Sequence, residues 1–329
     1  MPKYAKALAW AAAIILLPLV LNEPFYHHIL ISCAIHVILA VSLGIIVGYL
    51  GELSLAHAAF YGIGAYTSAL LTLRLGVPFL PAFTAAILLA GLFGFLIGIP
   101  ALRLSGHYFA IATLGFQGIV ILLIISMVDI TRGPMGLPGI PGLGDIHFFS
   151  WTISFKSKIT YFYLSSLVAA IVIFLTSNLM RHKHGRAFMA TREDPMLAAS
   201  IGVTPRNFRM LAFVISTAMA GAAGSLYSHY ALFISPDSFH LPESVYIATM
   251  VIIGGRSTIS GPIIGAVLLT TLPELLRFTG SLQFVLYGLM LMVVVIFMPE
   301  GIIGIVNRLM MKIGIKSPDM AVPDGTSQS

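Results

Sequence analysis

Long apolar runs, separated by short polar or glycine- and proline-rich stretches, make up most of this chain. Runs at Leu8–Leu21, Ile29–Leu50, Leu53–Leu73, Phe79–Leu102 and Tyr108–Val128 are followed, after a break, by Ile159–Leu179, Met210–Ile234, Ser244–Ile253, Gly261–Leu276 and Phe284–Ile305. A helix needs roughly 20 apolar residues to cross hydrocarbon. The runs at Ser244 and Gly261 are short and predict half-helices packed against protein, where a broken backbone keeps its polar groups satisfied. The pattern predicts an all-α, polytopic transmembrane bundle of about 10 spans. It forms a single domain over residues 1–316, followed by a polar, disordered tail at 317–329.

One polar insert interrupts the apolar runs, at residues 181–209. Within it, Asp194 and Pro195 have the chemistry of an N-cap and first helical residue: a side-chain oxygen for free amides, then a preset φ. Gly202 has that of the residue that ends a helix in the left-handed region. The spacing predicts a capped helix of about two turns between them, and Thr204-Pro205 opens the next helix. A helix this short cannot fold alone, so its caps point to a segment that another protein grips.

Composition narrows the class. With 58% hydrophobic and 9% charged residues in 329, the chain has too few charges to cover a soluble domain of this size. The net charge of +6 comes from basic residues lying between the apolar runs, the pattern that sets orientation in a bilayer rather than one that binds nucleic acid. With the N-terminus inside, 13 of the 18 Lys and Arg residues fall on the cytoplasmic side; Arg74, Arg132, Lys156, Lys158 and Arg277 fall outside. Both termini and the 181–209 loop are then cytoplasmic. Lys3 and Lys6 precede Leu8–Leu21 as in a signal peptide, but no small-residue cleavage site follows, which predicts an uncleaved first span. The single cysteine, Cys33, reads as a buried packing residue.

Residues 129–158 form an outer connection whose Gly133–Gly144 part carries five glycines and three prolines, Gly133, Pro134, Gly136 and Pro141 among them. That density excludes regular helix. Gly44 with Gly48, Gly94 with Gly98, and Gly261 with Gly265 put small residues on one face of a helix and predict close helix–helix contacts.

The motifs of the commoner chemistries are missing. GxxxxGK[ST], HExxH, GxSxG and paired CxxC do not occur, and the His182-x-His184 pair sits among cations that repel a metal ion. Glu52 and His57 flank Ser54 where the second and third runs meet. Either they line a passage, or Glu52 reaches the cytoplasmic interface and His57 packs with one hydrogen bond. Glu274 and Arg277 are spaced for an i,i+3 ion pair. His36, His57 and His229 lie within spans, but no aspartate does, so an ion-coupled carrier lacks its usual buried carboxylate. No catalytic cluster supports a membrane enzyme. The missing energy source points to a partner.

Gly185–Gly202 (GRAFMATREDPMLAASIG) resembles the loop signature of permeases in branched-chain amino acid ABC importers, of the LivM type. Gly51–Tyr66 (GELSLAHAAFYGIGAY), Arg103–Gly115 (RLSGHYFAIATLG), Gly133–Pro141, Ser235–Phe239, Gly254-Gly255 with Gly261-Pro262, and Pro299–Gly301 are similar to further blocks of that family, in the same order, over residues 44 to 304. Ala56 stands where the family has glycine, His107 where aspartate is common, and Arg256–Ser260 replaces a more glycine- and proline-rich link. These departures bear on substrate identity, since related permeases carry urea or short amides.

The resemblance implies a permease that is not itself an enzyme and needs no cofactor or metal. It would sit in a bacterial or archaeal inner membrane with a homologous permease, two cytoplasmic ATPase subunits and an extracytoplasmic solute-binding protein. Its coupling loop would comprise Gly185, Arg186, Arg192, Glu193, Asp194, Pro195, Leu197, Ala198, Ala199, Ile201 and Gly202. Leu197, Ala198 and Ile201 would form the docking face and Arg186 and Arg192 rim charges. Glu52, Ser54, His57, Tyr61, Tyr66, Tyr108 and Thr113 are passage candidates by position.

Overall fold

Helix α1 begins at Pro24, whose fixed φ suits a first helical turn, and runs to Gly44. The computed structural model describes residues 23–143, 145–148, 151–154, 157–256, 258–279, 288–289, 292 and 301–304. The first span and the tail read from the sequence lie outside the described residues, and the last span lies almost wholly outside them. From Ile45 to Leu50 α1 widens into a π-helical turn, a form common at functional sites, and Gly51 ends it in the left-handed region. Residues 51–56 are non-helical, and α2 spans His57–Leu75. The helix therefore starts later than the apolar run at Leu53, leaving a break between the two segments.

Next come α3 (Phe79–Ala101), α4 (His107–Ser126) and the single turn α5 (Val128–Thr131). Helix α6 (Lys158–Arg181) is followed by α7 (Lys183–Glu193), α8 (Pro195–Ser200) and α9 (Pro205–Ala231). The series continues with α10 (Leu241–Gly254) and α11 (Ser260–Leu275). Among the described residues, five segments are long and apolar enough to cross a membrane: Pro24–Leu50, α3, α4, α6 and α9. At 14 and 16 residues, α10 and α11 reach only about 21 and 24 Å, short of a ~30 Å hydrocarbon core. They are the short helices the sequence predicts.

The fold is all-α as expected, with four short strands among the described residues, confined to the connections. Antiparallel two-residue strands β1 (Leu137–Pro138) and β4 (Phe233–Ile234) pair, as do β2 (Asp145–Phe148) and β3 (Trp151–Ser154). They lie in the connections; β1, in the glycine- and proline-rich stretch, finds its backbone partner across the fold in β4, while β2 and β3 pair as neighbours.

Helix α9 packs against α2 and α3, while α1 packs against α6, α9, α10 and α11. Most of Pro24–Leu50 is buried, whereas α3, α4 and α6 leave the larger part of their apolar surface open, as segments facing lipid or another membrane chain do. Small residues bring backbones together where this packing is tightest. A Cβ on Gly261 would lie 1.9 Å from the Gly255 carbonyl oxygen, and one on Gly265 at 1.9 Å from that of Met250, so α10 and α11 meet backbone to backbone.

Candidate functional site

The polar insert folds as two helices. Asp194 caps α8 as its chemistry requires: Oδ1 accepts from Met196 N at 2.8 Å and from Leu197 N at 3.0 Å. At the other end the amides of Gly202 and Val203 donate to the carbonyls of Ala199 and Ala198, the paired bonds of a Schellman stop with Gly202 at φ +86°. Leu197 (65% exposed) and Ile201 (71%) project outward together with Met196 (86%), which the sequence analysis passed over. Ala198 does not share that face. It is 2% exposed and turned inward, because its spacing puts it against the rest of the loop. Pro195 and Ala199 are exposed.

Helix α7 was not anticipated. Its inner side carries Gly185, Ala187, Phe188 and Thr191, and Phe188 packs edge-on to Phe208 of α9 with ring centroids 6.1 Å apart. Arg186 and Arg192, the expected rim charges, are exposed, as is Glu193. Arg192 also reaches inward. Its Nη1 donates to the Gly48 carbonyl oxygen at 2.6 Å, in the π turn where α1 ends. Its stem lies over Gly51, where a Cβ would come within 3.1 Å of Arg192 Cγ.

Glu52 follows directly. It is 4% exposed, Oε2 accepts the Gly106 amide at 2.8 Å, and Oε1 pairs with Arg209 Nη2 of α9. The carboxylate is shielded from solvent by these partners. It is the counter-charge that ties the end of α1, the start of α4 and the start of α9 into one corner, and Arg192 grips the same corner from α7.

Beyond the corner, α2 begins inside the protein with no N-cap side chain of its own. Its leading amides are satisfied from other helices. Leu55 N donates to Thr113 Oγ1 (3.1 Å), Ala58 N to Ser244 Oγ (2.9 Å) and Ala59 N to Gln117 Oε1 (2.8 Å). Gln117 also donates from Nε2 to the Phe239 carbonyl, and Ser244 Oγ to Gln117 Oε1 at 3.4 Å. His57 makes one side-chain hydrogen bond, from Nε2 to Ser42 Oγ at 2.7 Å, since the Ser42 hydroxyl itself donates to the Leu39 carbonyl. His57 Nδ1, Ser54 Oγ and Tyr66 Oη are buried with no hydrogen-bond partner among the described residues. Tyr61 and Tyr66 both lie against the Phe239 ring, at 5.1 and 5.8 Å. Ser54, His57 and Thr113 thus lie at the start of α2, with Tyr61 and Tyr66 further along it against Phe239. Tyr108, 72% exposed, stands apart from them.

The glycine- and proline-rich connection of residues 133–143 is held by other elements. Gly133 and Gly136 take positive φ around a 3-10 turn, Gly133–Met135, in which Pro134 is exposed. The Pro141 carbonyl accepts from His229 Nδ1 at 2.8 Å, and His229 Nε2 accepts from Ser68 Oγ at 2.9 Å. His229 is therefore spent on anchoring this loop to α2 and α9.

Residues 25–297 match the family described as the permease component of branched-chain amino acid transport systems. The chain belongs to this permease family. Its relatives include the high-affinity branched-chain amino acid transport system permease protein LivM of Escherichia coli (strain K12), 36% identical over 287 residues that cover 82% of this chain and 68% of that protein. The corresponding LivH of Salmonella typhimurium is 27% identical over 82% of this chain and 91% of its own length. A probable LivM of Methanocaldococcus jannaschii is 23% identical over 66% and 67%. No solved structure matches the permease.

Sequence reasoning missed Arg209, Gln117, Ser244 and Ser42 in this permease. Gln117 was findable: a lone amide in the middle of the Tyr108–Val128 run costs free energy unless it meets a partner. The serines carry no such signal, because hydroxyls in membrane helices commonly bond to their own turn.

Proposed function

We propose that the chain is the membrane-spanning subunit of an ATP-driven importer of leucine, isoleucine, valine or related small solutes. Urea and short amides are the nearest alternative cargo. In this proposal the chain crosses the membrane about ten times with both termini cytoplasmic. It pairs with a homologous permease and receives solute from an extracytoplasmic binding protein. Two cytoplasmic ATPase subunits hydrolyse the ATP, and the inner membrane of a bacterium or archaeon houses the assembly.

One observation carries the proposal: a short, doubly capped helix holds Met196, Leu197 and Ile201 in solvent, while Arg192 just before it is bonded to the π turn that ends α1. An apolar face on a rigid helix suits a groove in a partner. Movement of α8 would be passed through α7 and Arg192 to the Gly48–Glu52 corner, and from there to the start of α2 with its polar cluster.

Reconstitution tests this. Proteoliposomes holding the permease, its homologous partner, the ATPases and binding protein should accumulate leucine only with ATP inside the ATPase-bearing compartment. Accumulation by the permease alone on an ion gradient would overturn the proposal.

A further inference from the structure

The proposed function leaves unused the basic cluster around the His182-x-His184 pair. Between α6 and α9 lies an open groove of about 770 Å3. Its floor is apolar: Leu175 and Leu179 of α6, Ile215 and Met219 of α9. Its rim carries Arg181, Lys183 and Arg186, with His182 and His184 between them.

The layout has a direction. Leu175 precedes Arg181 by about 9 Å along α6, and Met219 lies some 21 Å beyond the start of α9. The floor therefore runs along two membrane-crossing helices, and the cations gather where α6 leaves the apolar layer. No carboxylate among the described residues lines the groove. Among the described residues, Arg181, Lys183 and Arg186 join no ion pair. The nearest acids on α7, Glu193 and the adjoining Asp194, lie at its far end, about 15 Å from Lys183. The first turn of α7, at the rim, has no side-chain cap and no acidic residue, so its leading amides add to the positive potential.

We propose that this groove holds one anionic phospholipid, its phosphate at Arg181, Lys183 and Arg186 and an acyl chain on Leu175, Leu179, Ile215 and Met219. Charge selects the headgroup: a zwitterionic lipid would bring an ammonium to a rim of cations, and a metal ion would be repelled. The apolar floor selects a lipid over a free phosphate, which has nothing to bury there. Basic pockets between membrane helices recognise anionic headgroups by the same physics.

The test uses the full chain assembled with its partner subunits. Native mass spectrometry after equilibration with equal phosphatidylglycerol and phosphatidylcholine should find phosphatidylglycerol retained on the permease and phosphatidylcholine stripped. R181Q/K183Q should lower that retention roughly thirtyfold, from the loss of surface attraction at two cations. I215W, which fills the floor and keeps every charge, should lower it too. Millimolar inorganic phosphate should not displace the lipid. Equal retention of the two lipids overturns the proposal, as does retention in both variants matching the original protein. Displacement by inorganic phosphate would identify a free-anion site instead and overturn the lipid assignment. If either variant fails to assemble, the two-lipid comparison on the unaltered protein still decides.

Discussion

The guanidinium of Arg192 and the carbonyl oxygen of Gly48 are 2.6 Å apart, joining α7 to the π turn of α1 across 144 residues of chain. In a π turn the backbone bonding pattern is expanded, so a carbonyl there is open to an outside donor. Arg192→Ala should leave assembly with the ATPases intact but cut solute uptake per ATP hydrolysed by roughly three- to tenfold, about the worth of one charge-assisted hydrogen bond at a partly exposed site. Arg192→Lys should recover part of it. Uptake and hydrolysis measured on the same proteoliposomes check this, and an unchanged ratio in Arg192→Ala would remove Arg192 from the coupling path.

Glu52 and Arg209 form a buried pair, and losing one partner strands the other. Glu52→Gln or Arg209→Met should each destabilise the folded permease by about 3 kcal/mol or more, whereas Glu52→Leu with Arg209→Met should cost less than either alone. Thermal unfolding in detergent, read on all three, tests the non-additivity. Additive losses would mean that the two side chains do not meet.

Aspartate at Leu197 and Ile201 together should abolish association with the ATPases while membrane insertion and thermal stability stay normal, because both side chains are exposed and neither supports the permease fold. Met196→Asp should act in the same direction. Co-purification of the ATPase against permease abundance is the measurement. Full co-purification would end the docking assignment.

Gln117→Leu keeps the bulk but leaves the Phe239 carbonyl without this donor and the Ala59 amide with only its bond to the Ala56 carbonyl. The expected cost is about 1–3 kcal/mol for a buried polar group left unmade. Gln117→Glu, which still accepts but no longer donates when ionised, should be no better. Denaturant or thermal midpoints on the purified protein settle the size.

Gly265→Ala adds a methyl 1.9 Å from the Met250 carbonyl oxygen, a contact that neither backbone can relieve cheaply. Separation of α10 from α11 should lower the folded yield and destabilise by about 1–3 kcal/mol. Gly115, with nothing near its Cβ position, is the control site, and Gly115→Ala should be tolerated.

Much of this architecture was legible in the chain itself. The apolar runs found the long helices, since length and hydropathy alone decide a span. Asp194, Pro195 and Gly202 marked α8 to within a residue, because capping is local chemistry. The glycine pairs at 44/48, 94/98 and 261/265 all lie in close contacts. Helix α7 was not legible: Lys183-His-Gly-Arg shows no apolar period, and its helicity comes from packing Ala187 and Phe188 on α9. The partners of Glu52 and of the α2 amides were also hidden, because each is 54 or more residues away in sequence. Spacing rules see one helix at a time, and this site is made between helices.

The borrowed caps on α2 have a consequence for how the protein is made. Ala59 can bond at once to Ala56, but Ala58 waits for Ser244, 186 residues later in synthesis, and Leu55 for Thr113, 58 residues on. Until α4 and α10 emerge from the ribosome, the Leu55 and Ala58 amides have no partner in hydrocarbon, so the start of α2 must stay in contact with water or the insertion machinery. The segment at the heart of the finished permease is among the last to settle into the membrane.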